Sequence, residues 1–194
     1  MPLGEWVFRN ACQQIQEWDR EGLRDFTVSV NLSPRQFVSR KLLPSMKTAF
    51  LETGIDPKRI DLEITETMAM RNLDQSIEIL SELRRMGATV SVDDFGVGYS
   101  SLGQLRRLPA QTLKIDRSFI SQIPQDGNSC SITEAIIAMA KRLQLRTVAE
   151  GVETAEQHEF LRVNGCDAFQ GYFYAKPLTL SEITAMLRTQ VVTV

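Results

Sequence analysis

Residues 89–95 read TVSVDDF, and the order of side chains over those positions decides what kind of sheet the chain builds. Successive side chains of an extended strand point to opposite faces. Val90 and Val92 therefore share one face, and Thr89, Ser91 and Asp93 the other. The same division recurs on either side. Upstream, TVSVNL at 27–32 sets Val28 and Val30 against Thr27, Ser29 and Asn31, and RIDLEIT at 59–65 sets Ile60, Leu62 and Ile64 against Asp61, Glu63 and Thr65. Downstream, TLKID at 112–116 sets Leu113 and Ile115 against Lys114 and Asp116. Strands covered by helices on both faces are apolar on both sides. Here only one face suits a helix layer. The other carries carboxylates, an amide and a lysine, and isolated buried charges are costly unless paired or metal-bound. The pattern predicts a TIM-like barrel whose interior holds ions and a polar ligand.

Between these runs lie segments of helical period. Helices are expected over Trp6–Arg20, with Val7, Ala11, Ile15 and Trp18 on one stripe, and over Leu42–Glu52, stopping at Gly54. Further helices are expected from a cap at Asn72 or Asp74 to Met86, near Ser101–Arg107, over Ile132–Leu143 and Ala155–Val163, and from about Ser181. The Ile132 helix follows a turn-rich stretch at 124–128. RTVAEG (146–151) and AFQGYF (168–173) complete the strands. Six strand-then-helix units result, and strands joined by crossover helices run parallel, so the class is α/β.

With 194 residues, 43% hydrophobic and 24% charged, the chain is neither disordered nor fibrous. A formal charge of −2 excludes a global basic field, so no nucleic-acid polymer is expected as partner and an anionic ligand must be recognised locally. Cys12, Cys130 and Cys166 are widely spread and read as reduced thiols. No leader and no membrane span are read, and a cytoplasmic location is expected. His158, the one histidine, sits in a helical run and reads as a solvated-face residue, which argues against zinc. No dinucleotide fingerprint, Walker lysine or Ser-His-Asp set is present.

The polar residues share a position as well as a face. Asn31, Glu63, Asp93, Lys114, Glu150 and Gln170 fall near the C-terminal ends of their strands, where active sites of βα barrels collect. Together with Glu66 and Asp94 they offer the oxygen donors of hard cations such as Mg²⁺, Mn²⁺ or Ca²⁺. Glu63 with Glu66, or Asp93 with Asp94, would be unremarkable alone; recurrence at successive strand ends is what points to a metal-dependent site. The adjacent pair would let Asp93 point inward and Asp94 lean along the rim, so that one strand serves two metals, a device used for displacement at phosphorus. Gly96 and Gly98 in the following loop allow close backbone approach to an anion, or a moving gate.

NLSPRQF (31–37), EITET (63–67), DDFGVGYSSL (93–102), LKIDRSFI (113–120), VAEGVET (148–154) and CDAFQGYFYAKPL (166–178) together resemble the EAL domain family, in order and over essentially the whole chain. The resemblance implies hydrolysis of cyclic di-GMP to linear pGpG with two cations, Mg²⁺ or Mn²⁺. It implies that Asn31, Glu63 and Asp93 bind the first metal and that Asp94, with bridging Asp93, serves the second. Lys114 would contact the attacking water or the phosphate and Glu150 would act as base or orient the water, with either left open as the proton handler. Glu66 would hold the loop at Gly96 and Gly98, with Gln170 and Asp116 in support. The chain departs from the family pattern in having no Glu-Ala-Leu motif and in carrying Val97 where threonine is usual. A full barrel takes about 250 residues, so residues 1–194 are expected to form one EAL-type domain lacking its first strands. Exposed sheet edges then favour a homodimer, and sensory or cyclase domains outside the chain are expected to regulate it. The alternative reading is a catalytically inactive module that binds cyclic di-GMP or a protein partner.

Overall fold

The β-branched runs become strands close to where their patterns place them. The computed structural model describes residues 3–98 and 101–191, so Tyr99 and Ser100 of the glycine loop, the first two residues and the last three lie outside the description. In chain order the elements are α1 (Leu3–Arg20), β1 (Val28–Asn31), α2 (Pro34–Phe37), α3 (Leu42–Thr53), β2 (Ile60–Thr65), α4 (Glu66–Arg71), α5 (Leu73–Arg85) and β3 (Thr89–Phe95). Then come α6 (Leu102–Leu105), β4 (Thr112–Ile115), α7 (Arg117–Ile120), α8 (Gly127–Arg142), β5 (Arg146–Glu150), α9 (Ala155–Val163), β6 (Ala168–Gln170) and α10 (Leu180–Val191). The strands follow sheet order β1-β2-β3-β4-β5-β6, with β3–β4, β4–β5 and β5–β6 paired in parallel. Helix between each neighbouring pair makes this the α/β, TIM-like succession expected.

The chain divides into two compact units, Met1–Leu62 with Glu82–Thr89 and Pro177–Val194, and Glu63–Ser81 with Val90–Lys176. In the first, α1 packs on α3, and Phe8, Cys12, Ile15 and Trp18 of α1 are all buried. Phe8 meets Phe50 edge-on at 5.4 Å. The buried stripe is thus turned from the predicted one: Val7 is exposed and Phe8 and Cys12 face inward, because the aromatic side chain has more apolar area to bury. Arg59 ties the entry of β2 to the α1–β1 connection, donating to the Phe26 carbonyl at 2.7 Å and pairing with Asp19 at 2.5 Å. The polar strand face is occupied here by a network in which Asp61 accepts from Ser29 and Thr89.

In the second unit, Ile64, Val90, Val92, Leu113, Ile115 and Ala149 form the helix-facing side of the sheet and are buried with Ile120, Ile137, Ala140 and Leu161 of the helices. Some boundaries differ from expectation. Residues 127–131 are the first turn of α8, because Asp126 caps it: its carboxylate accepts from both the Ser129 amide and hydroxyl at 2.7 Å. The segment after Thr65 forms a helix, α4, capped by the Thr65 hydroxyl, before Asn72 caps α5 as expected. The last strand stops at Gln170, where Gly171 turns against Val152: a Cβ there would lie 2.1 Å from the Val152 carbonyl oxygen. His158 is only partly solvated. It is half-buried among Phe169, Phe173 and Tyr174, with its Nδ1 2.6 Å from the Tyr174 hydroxyl, since an imidazole beside exposed rings buries area at little cost when one nitrogen keeps a polar partner.

Candidate active site at the strand ends

The site belongs to the second unit and starts from an irregularity in β3. Ser91 and Val92 stand opposite Thr112 and Leu113, but the next pair in register is Phe95 with Ile115, so β3 spends one residue more than β4 over this interval. That is a β-bulge. Asp94, at φ 53°, takes up the extra residue in the left-handed region, which an aspartate tolerates better than most side chains. Strict alternation would send Asp93 and Asp94 to opposite faces. The bulge instead keeps them together: Asp93 is buried, Asp94 is exposed, and one oxygen of each lies with one of Glu150 in a group no wider than 4.8 Å.

Lys114 lies at the centre. Its Nζ is 2.6 Å from Glu150, 2.8 Å from Glu63 and 3.4 Å from Asp93, and the residue is 4% exposed. Burial pulls the ammonium pKa down, but the hydrogen bonds and charges of Glu150 and Glu63 more than offset it and leave it above the ordinary lysine value. Glu150 is pushed up by burial; Lys114 pulls it back, and Asp93 and Glu63 push it up again. Asp94 is likewise raised by burial and then by Asp93 and Asp116. Three carboxylates, Glu63, Asp93 and Glu150, face one ammonium. The centre attracts positive charge.

The loop after β3 is fixed from beneath by Glu66, which is 2% exposed at the start of α4. One of its oxygens accepts the Gly96 amide at 2.8 Å, and the other lies where a Cβ on Gly98 would come within 2.6 Å. Gly96 itself, at φ 99°, passes so close to Phe119 that a Cβ would fall 2.6 Å from the ring. Phe119 is a contact that the sequence reading did not single out, and no spacing rule would have revealed it.

Of the predicted residues, Glu63, Asp93, Asp94, Lys114 and Glu150 converge. Gln170 stands beside Glu150 in the β5–β6 register and is exposed; Asp116 caps α7 through the Ser118 amide at 2.9 Å and acts on Asp94 by charge. Asn31 ends β1 in the other unit and is exposed. Val97 is 63% exposed, and its amide donates to the Asp94 carbonyl at 3.4 Å. A cleft of about 120 Å³ lined by Phe8, Gln36, Leu42 and Met46 belongs to the first unit and contains none of these residues. The donor set is all oxygen, and Asp93, Asp94 and Glu150 are close enough to share a cation, so the residues fit a hard divalent metal.

A sequence profile of the EAL domain matches residues 1–177. MucR of Pseudomonas aeruginosa, described as a bifunctional diguanylate cyclase/cyclic di-GMP phosphodiesterase, is 44% identical over 183 residues, 94% of this chain and 27% of that protein. The structure of a MucR phosphodiesterase in complex with c-di-GMP superimposes with a TM-score of 0.90 over 93% of this chain and 73% of that one, also at 44% identity. The manganese/cy-diGMP complex of Klebsiella pneumoniae BlrP1 gives a TM-score of 0.78 at 27% identity over 90% of this chain and 45% of that one. The chain spans about a quarter of the length of the curated relatives it matches. No described helix is long and apolar enough to cross a membrane.

Proposed function

The chain belongs to the EAL domain family, and from that premise we propose that it carries the metal-dependent hydrolysis of cyclic di-GMP to linear pGpG. The observation that carries the reading is the convergence of Asp93, Asp94 and Glu150 beside the buried ammonium of Lys114. Asp93, Asp94 and Glu150 would hold Mg²⁺ or Mn²⁺, with Glu63 as a further ligand by the family resemblance. Bound there, the cations would supply Lewis-acid charge at phosphorus and acidify water.

The protein's own groups divide the remaining work. Lys114 partly neutralises the carboxylates around it. Glu150, hydrogen-bonded to Lys114 in the same cluster, orients the attacking water or receives its proton, with Lys114 the other group placed to handle it. Water adds to phosphorus, one P–O3′ bond breaks, and the freed 3′ oxygen takes a proton. Glu66 keeps the turn that carries Asp94 in place through Gly96 and Gly98.

The test is incubation of the chain with cyclic di-GMP and Mg²⁺ or Mn²⁺, following pGpG by chromatography and binding by calorimetry. Turnover that chelation abolishes supports the reading. Binding without turnover assigns the chain to the binding-module alternative, and absence of both refutes each.

A further inference from the structure

An ammonium group has three hydrogens to donate, and Lys114 directs them all at carboxylates: Glu150 at 2.6 Å, Glu63 at 2.8 Å and, more weakly, Asp93 at 3.4 Å. At 4% exposure it is nearly closed off from bulk water, and its charge is directed at carboxylates rather than at a substrate phosphate. Two of those three partners, Asp93 and Glu150, also belong to the oxygen group that can take a cation with Asp94. The same two carboxylates therefore have two alternative claimants.

We propose that Lys114 is an exchangeable counterion: it holds the strand-end carboxylates together while no divalent cation is present, and cation binding releases its ammonium toward the anionic substrate. The inference rests on the metal-dependent reading above and adds an order of events to it. Without Lys114, Glu63, Asp93 and Glu150 would face one another at the end of the sheet with no cation among them, and like charges at such distances repel strongly where water is excluded. With Lys114 in place the site is assembled before metal arrives. When a cation takes over the Asp93 and Glu150 oxygens, the weakest of the three lysine contacts and the Glu150 contact lose their claim. Cation and substrate then bind with positive cooperativity, because the first frees the donor that the second uses.

Two measurements on the full chain test this. In cation-free buffer, nitrogen-15 NMR of the lysine side chains shows one ammonium protected from solvent exchange, assigned by its loss in Lys114→Arg. Titration with Mg²⁺ shifts or broadens that resonance over the concentrations that move the backbone amides of Asp94 and Glu150. Thermal melts supply the second readout: Lys114→Met melts lower than the parent without Mg²⁺ and recovers more on its addition. An ammonium unmoved while the Asp94 and Glu150 amides respond overturns the proposal and leaves the metal reading standing. Amides that ignore Mg²⁺ remove the metal reading instead, and absence of any protected ammonium in cation-free protein refutes the counterion. If Lys114→Met does not fold, the resonance of the parent protein decides.

Discussion

One added methyl group tests how the loop after β3 is held. In Gly98→Ala the new Cβ would stand 2.6 Å from one Glu66 oxygen and 2.9 Å from the carboxyl carbon, well inside contact distance. The backbone does not forbid the change, since Gly98 lies outside the left-handed region, so the whole effect comes from the clash. Glu66 is 2% exposed and its other oxygen holds the Gly96 amide at 2.8 Å, so it cannot swing aside without giving up that bond. Overpacking of a filled site costs about 1–3 kcal/mol. If the loop accommodates the clash by leaving its position, the fraction of protein with Asp94 correctly placed falls about 5- to 150-fold at 1.4 kcal/mol per tenfold. Mn²⁺ affinity by calorimetry and kcat/KM on cyclic di-GMP should fall together by that order, with little change in melting temperature. Gly103→Ala is the control, because its Cβ meets only the Ser101 hydroxyl at 3.9 Å within α6 and alanine favours a helix. Parental Mn²⁺ affinity and turnover in Gly98→Ala would refute the claim that Glu66 sets the loop.

Asp94→Asn replaces one of three converging carboxylates by a neutral amide and removes one unit of a repulsive charge cluster. It should lower Mn²⁺ affinity by more than the roughly tenfold typical of losing an outer-shell partner, while the cation-free melting temperature stays level or rises. Leu113→Ala, fully buried on the helix side of β4, should cost about 2–5 kcal/mol in urea unfolding. A thiol-specific chromophore should titrate one cysteine in the native protein: Cys130 is half-buried, whereas Cys12 has no exposure and burial pushes its thiol up to about 12, and Cys166 is also buried and raised. Three fast-reacting thiols would show that α1 does not pack as described.

The fold was legible because parity is a local property. Val90 and Val92 against Ser91 and Asp93 can be read without knowing what either face meets; burial itself does not alternate, because the polar face of β2, β3 and β4 encloses Glu63, Ser91, Asp93 and Lys114 as well. The site was legible in its membership for the same reason, as each residue sits at the end of its own strand. Its internal arrangement was not. That Lys114 is spent on Glu63 and Glu150 depends on side chains brought together from β2, β4 and β5, and only a register shows it. Asp93 and Asp94 were expected to serve one site, Asp93 pointing inward and Asp94 leaning along the rim, but the bulge that keeps them close is something a single strand cannot announce, because it is a mismatch with its neighbour. Asp126 could have been read as a cap, but the glycine and serines behind it resemble a turn just as well. His158 was misread because its partners, Phe169, Phe173 and Tyr174, lie in a different segment of the chain.

The extra residue in β3 gives strand length a chemical meaning. Between Val92 and Phe95 the backbone is one residue too long for its ladder, and that surplus is what brings a second carboxylate to the same place as the first. Shortening the segment by one would restore regular pairing with β4 and leave a sheet with better hydrogen bonding but one aspartate fewer at its end. In this stretch a deletion would improve the strand and disable the site, so the protein keeps a small defect in its architecture as the condition of its chemistry.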